Sequence, residues 1–98
     1  MTINKLMEGT RLTVALSGRM DTNTAPLLDA ELKASLPGIE ELVLDFAQLS
    51  YLSSAGLRVL LAAQKTMSRQ GTMVLKNVNG EIMDVFEITG FVNILTIQ

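Results

Sequence analysis

The stretch Leu49-Ser50-Tyr51-Leu52-Ser53-Ser54-Ala55-Gly56-Leu57 sets two adjacent hydroxyls where an apolar strand gives way to a helix. At a helix start the first N–H groups lack intrahelical acceptors and the macrodipole is positive. A serine there caps the helix, a role worth roughly 1 kcal/mol. The same position favours a phosphate, which suits it to a covalent switch. The two uses are compatible, because a capping serine on an exposed rim is open to modification.

Working outward, residues 41–46 (Glu-Leu-Val-Leu-Asp-Phe) read as a short central strand, with Ala47 to Tyr51 as the connection to the helix. That helix runs from about Ser54 to Gln70, with Leu57, Leu60, Leu61 and Met67 toward the core and Arg58, Lys65 and Arg69 outside. Gly71 ends it as a C′ residue. Residues 72–76 form the next strand. Asn79 caps a helix over 80–89 that carries Ile82, Val85 and Phe86 on one stripe, Gly90 closes it, and residues 93–97 form a last strand.

Upstream, residues 2–8 read as a weak edge strand and Gly9-Thr10 as a turn. Residues 11–17 alternate strictly, with Leu12, Val14 and Leu16 on one face, as in a half-buried strand. Gly18 to Asn23 is a loop. Thr24 precedes Ala25-Pro26, and proline in the first turn of a helix loses no hydrogen bond. Leu28, Leu32 and Leu36 make one helical stripe, which Pro37-Gly38 ends.

This order predicts an α/β fold: a mixed, mostly parallel sheet with an N-terminal antiparallel hairpin and helices packed on one side. The loops after the parallel strands then share one rim, where open α/β sheets place function. The loop at Asp21 to Thr24 and the segment from Tyr51 to Gly56 both fall there.

Composition narrows the chemistry. At 98 residues the chain is expected to be a single domain. It has no cysteine and no histidine. Thiol chemistry is excluded, and the commonest general base and metal ligand are missing. A serine nucleophile needs an adjacent base; Lys65 lies about three turns from Ser54 along the same helix. No carboxylate cluster has metal-ligand spacing and no glycine-rich phosphate loop occurs. We expect a protein that is not an enzyme and takes neither metal nor cofactor. The net charge is −2 and Lys and Arg are scattered, so nucleic acid is not an expected partner. No apolar run is long enough for a membrane span and no leader pattern opens the chain, so a cytoplasmic, monomeric protein is expected.

Four segments resemble one family. Leu16-Ser17-Gly18-Arg19-Met20-Asp21 is similar to its strand and Gly-x-x-Asp loop, and Leu42-Val43-Leu44-Asp45-Phe46 to its central strand. Leu49 to Leu61 is similar to its signature, and Phe86-Glu87-Ile88-Thr89-Gly90-Phe91 to the end of its last helix. The chain thus resembles the STAS domain, specifically the small stand-alone bacterial anti-sigma factor antagonists. The resemblance implies a protein that binds an anti-sigma factor serine kinase and so releases a sigma factor. Phosphorylation of one serine breaks the complex and a cognate phosphatase restores it. The acceptor falls on Ser54, with Ser53 as the alternative, and Asp21 falls on the loop aspartate of the kinase-facing rim. The best-studied members carry aspartate before the acceptor and serine or threonine after it, where this chain has Ser53 and Ala55. The resemblance leaves an alternative for this chain: a STAS protein-interaction or nucleotide- or lipid-sensing module of another signalling or transport complex, with no phosphorylation cycle.

The candidate partner-binding set is therefore Asp21, Asn23, Tyr51, Ser53, Ser54, Gly56 and Arg58. Each also has an ordinary structural use. Asp21 suits a turn or cap, Asn23 and Thr24 suit caps, and Gly56 suits close helix–sheet packing. Tyr51 and Arg58 are ordinary on an exposed surface, and Met67, Met73 and Met83 read as packing.

Overall fold

A computed structural model describes residues Met1–Gln98. Four strands and three helices follow in the order β1 (Thr2–Glu8), β2 (Arg11–Met20), α1 (Ala25–Ser35), β3 (Glu41–Leu52), α2 (Ser54–Ser68), β4 (Thr72–Lys76) and α3 (Gly80–Thr89). The sheet order is β1-β2-β3-β4, antiparallel in the first pair and parallel in the other two.

Period-two alternation sorts the two faces of the sheet. Leu12, Val14 and Leu16 of β2, Leu42, Leu44 and Phe46 of β3, and Met73 and Leu75 of β4 are all buried. They join Leu28 and Leu32 of α1, Leu57 and Leu60 of α2, and Ile82 and Phe86 of α3 in one cluster of 24 buried residues. Burying each such side chain contributes roughly 1.5–3 kcal/mol. Phe46 meets Phe86 with ring centroids 6.4 Å apart and planes tilted by 46°. All three helices thus cover one face. On the other face Thr13, Ala15, Asp45, Val74 and Lys76 stay partly exposed. The α/β architecture expected from the sequence is the one observed. Leu61, expected toward the core, lies at its edge, and Val59 and Ala63 take buried places instead.

β3 is twice the length expected. The segment from Ala47 to Tyr51, expected as a connection, is strand. Two irregularities explain the difference. Ala15 pairs with Asp45 but Ser17 with Gln48, and Gly18 pairs with Leu49 but Arg19 with Tyr51. At each place β3 carries one residue more than β2, which is a bulge. The buried residues Phe46, Leu49 and Leu52 therefore recur every three positions, and the alternation that marks a strand is lost. Asp45 fastens the first bulge: its Oδ1 accepts the Ala47 N–H at 2.9 Å and the Asn77 side-chain amide at 2.9 Å. Asn77 holds a left-handed backbone (φ 59°) to reach it. At the second bulge Ser50 Oγ donates to the Gly18 carbonyl at 2.9 Å. Likewise β2 runs on through Gly18 to Met20, which were expected in a loop.

Two other expectations change. α2 stops at Ser68, and Gly71 has no left-handed φ. Glycine is needed at 71 for another reason: a Cβ there would overlap the Glu40 carbonyl, the same oxygen that accepts the Thr72 N–H at 2.9 Å. The expected last strand over 93–97 is instead a 3-10 turn at Phe91–Asn93 followed by a single parallel bridge from Ile97 to Leu75. Gly90, at φ 79°, turns the chain out of α3, and Leu95 donates its N–H back to the Phe91 carbonyl at 2.8 Å, so residues 93–95 have no strand ladder to join.

Candidate functional site

The bulges carry β3 far enough that Leu52 pairs with Met20, the last residue of β2. Because β2 and β3 are parallel, both end on the same edge. The Ser53 N–H donates to the Met20 carbonyl at 2.9 Å. The Asp21 loop and the start of α2 thus leave the sheet side by side, about one strand spacing of 4.8 Å apart.

Asp21 organises its own loop. Its Oδ1 accepts the N–H groups of Asn23 (2.9 Å) and Thr24 (3.0 Å). In return Thr24 Oγ1 accepts the Asp21 N–H at 2.9 Å and donates to the Arg19 carbonyl at 2.7 Å. The Asp21 carbonyl accepts the Ala25 N–H at 2.8 Å, which starts α1. Asn23 is exposed at the tip. The Thr24 N–H holds the Asp21 carboxyl below its ordinary value; partial burial opposes this, and the Asn23 N–H, the Thr24 hydroxyl and the Arg19 charge add to it. Asp45 is also lowered, first by the Asn77 amide, then by the Ala47 N–H, with Lys76 assisting against burial.

Both carboxyls are depressed from 3.8, so each contributes stability that is complete above that value and is lost as pH falls through the lower folded value. Stability is therefore expected to be level near neutrality and to decline below about pH 4. Denaturant titrations across that range check this, and Asp45→Asn is expected to flatten part of the decline.

At the head of α2 the cap is Ser53 and not Ser54. Ser53 is extended (φ −90°, ψ 174°), and its hydroxyl accepts the Gly56 N–H over a long 3.3 Å. Its carbonyl accepts the Leu57 N–H at 3.0 Å. Ser54 is the first helical residue and is exposed, and none of the chain's side-chain hydrogen bonds uses it. Of the two uses that the sequence left open, the cap belongs to Ser53. Ser53→Ala is expected to lower stability by about 1 kcal/mol, Ser53→Asp to retain it, and Ser54→Ala to change little. Urea midpoints measure all three.

The rest of the rim follows from packing. A Cβ on Gly56 would press into the Leu52 side chain and lie 2.8 Å from Met20 Sδ, so glycine lets α2 start directly over the strand ends. Tyr51 is exposed, and the Arg19 guanidinium stacks 4.1 Å from its ring centroid. Arg58 is exposed one turn beyond Ser54, and it takes part in none of the chain's three ion pairs. Asp21, Asn23, Tyr51, Ser53, Ser54, Gly56 and Arg58 thus lie at one end of the sheet and on the α2 turn above it. Arg19 and Ser50 join them and were not singled out from the sequence; Thr24, expected as a cap, sits at the N-cap position of α1 but turns its hydroxyl to Asp21 and the Arg19 carbonyl. No group of three potential metal-ligating side chains gathers anywhere in the chain, and no helix is long and apolar enough to cross a membrane.

Comparison with known proteins gives this geometry its setting. A family model described as "Mlab, STAS domain" matches residues 3–96. BtrV of Bordetella bronchiseptica, named as an anti-sigma factor antagonist, is 40% identical over 88 residues, covering 88% of this chain and 76% of that protein. The crystal structure of an anti-sigma factor antagonist from Mycobacterium paratuberculosis superposes with a TM-score of 0.88 at 22% identity, over 98% of this chain and 83% of that one. The phosphorylated form of the Bacillus cell fate determinant SpoIIAA superposes with a TM-score of 0.77 at 17% identity, over 99% of this chain and 91% of that one. With its sheet order and a match that spans nearly every residue, the chain belongs to the STAS domain family, among the anti-sigma factor antagonists.

Proposed function

We propose that this chain binds an anti-sigma factor serine kinase through the rim formed by Asp21, Asn23, Tyr51 and Ser53 to Arg58, and that phosphorylation of Ser54 ends the complex. The observation that carries this reading is the division of labour at residues 53 and 54. Ser53 supplies the cap, so the Ser54 hydroxyl stands exposed and uncommitted beside the aspartate loop. The kinase would transfer the γ-phosphoryl of a nucleoside triphosphate to Ser54 Oγ; the hydroxyl proton goes to the kinase's base and the diphosphate leaves. A phosphatase would use water to release inorganic phosphate and restore the hydroxyl. SpoIIAA, which shares the fold, exists in a phosphorylated form. This chain would act throughout by binding, as the substrate of its regulators.

The family's usual aspartate before the acceptor is replaced here by Ser53. Serine and aspartate cap helices about equally well. The replacement keeps the cap and removes a carboxylate, which leaves Ser54 in a less acidic surrounding.

The test is incubation with the anti-sigma factor kinases of the same organism and ATP, followed by mass-spectrometric mapping. Modification is expected at Ser54, to persist in Ser53→Ala and to vanish in Ser54→Ala. Modification confined to other residues would defeat the assignment.

A further inference from the structure

The rim has two cations, and their situations differ. Arg19 lies over the Tyr51 ring and adds its charge to the field at Asp21. Arg58 has no such engagement. The chain's ion pairs are Lys5–Glu31, Arg11–Glu41 and Lys33–Asp29, and its one cation–aromatic contact uses Arg19. Arg58 and Asp29 both line a shallow depression with Ala25, Pro26, Ala55 and Val59, and Lys33 already pairs Asp29 at 2.9 Å. Arg58 is therefore exposed, charged and unclaimed.

Its position relative to Ser54 is specific. The two are four residues apart on α2, on the same side of the helix and one turn apart. Helical side chains lean toward the N-terminus, so a long side chain at 58 covers the turn that holds 54. An acid N-terminal to a base at this spacing is the more favourable orientation. A phosphoryl group brings about −1.5 to −2 charges and three acceptor oxygens, and guanidinium is the side chain best shaped to bind two of them at once.

We propose that Arg58 is the counterion, within this chain, of a phosphoryl group on Ser54, so that the modified protein folds its own cation over the phosphate. This rests on the reading of Ser54 as the acceptor. It adds a second consequence to the switch. Modification places a dianion on the docking surface and also withdraws from that surface the one cation free to meet an acidic group of a partner.

The test uses the full chain with phosphoserine installed at position 54 by genetic encoding, so that it requires no kinase. A ³¹P NMR titration reads the second ionisation of the phosphate directly. Asp21, Asp29, Arg19 and the start of α2 also act on that group, and they are the same in every variant compared. The wild-type phosphate is expected to titrate about 0.3 units lower than in Arg58→Gln. The difference is expected to shrink in 1 M salt, and Arg58→Lys is expected to fall between the two. Arg58 is exposed, so these variants keep the fold. The same pKa in wild type and Arg58→Gln would overturn the proposal, as would a difference that salt leaves intact. Failure of kinases to modify Ser54 would end the functional reading and leave this result standing, so the two are separable.

Discussion

Phosphorylation of Ser54 is expected to weaken binding to the anti-sigma factor by at least about a hundredfold, or roughly 3 kcal/mol. The modification suits the fold itself, because Ser54 is the first residue of α2 and negative charge is favoured there. A covered interface is another matter. The dianion and the cation folded over it would have to be desolvated beneath the partner, and taking charges out of water costs several kcal/mol per ion. Ser54→Asp, with one charge and less bulk, is expected to show a smaller loss in the same direction. Ser54→Ala is expected to bind as the unmodified protein does and to resist switching. Calorimetric titration of the partner into each form measures this. Equal affinities for the phosphorylated and unmodified proteins would contradict the mechanism.

Gly71→Ala is expected to be the most damaging single methyl in the molecule, at about 3 kcal/mol or more, with a fall in Tm of more than about 10 °C. The added Cβ would overlap the Glu40 carbonyl, which is backbone and cannot turn aside. That carbonyl also accepts the Thr72 N–H, so relief of the overlap would disturb the start of β4. Gly56→Ala makes a useful contrast. There the methyl would meet the ends of the Leu52 and Met20 side chains, which can adjust, so about 1–2 kcal/mol is expected. Thermal unfolding of both variants beside the wild type checks the ranking, and a Gly71→Ala protein as stable as Gly56→Ala would contradict it.

The parts of the fold that repeat were legible in the sequence. Strict alternation marked β2, four-residue spacing marked α1, and the serine pair marked the start of α2. What escaped was structure made by exceptions to those periods. The two bulges stretch the spacing of Phe46, Leu49 and Leu52 to three, so the far half of β3 looks like a connection. That half is what delivers Ser53 to Met20 and thereby brings the two loops together. Asp45 bonds locally only to Ala47, and its other partner, Asn77, lies 32 positions away in sequence, out of reach of local patterning. Gly71 was read as a backbone-conformation glycine, whereas the contact that requires it comes from Glu40, on another part of the chain. At the candidate site the pair 53–54 was legible as a pair, but the assignment of cap and free hydroxyl depended on where α2 begins. A one-residue shift in a helix boundary lies below what periodicity resolves.

The central claim is that the rim around Ser54 is the docking surface. Amide hydrogen exchange of this chain, alone and bound to its anti-sigma factor, tests that most directly. Protection is expected to concentrate at residues 21–24 and 51–58. Protection confined to the exposed face of the sheet, at Thr13, Ala15 and Val74, with the Ser54 turn unchanged, would contradict it.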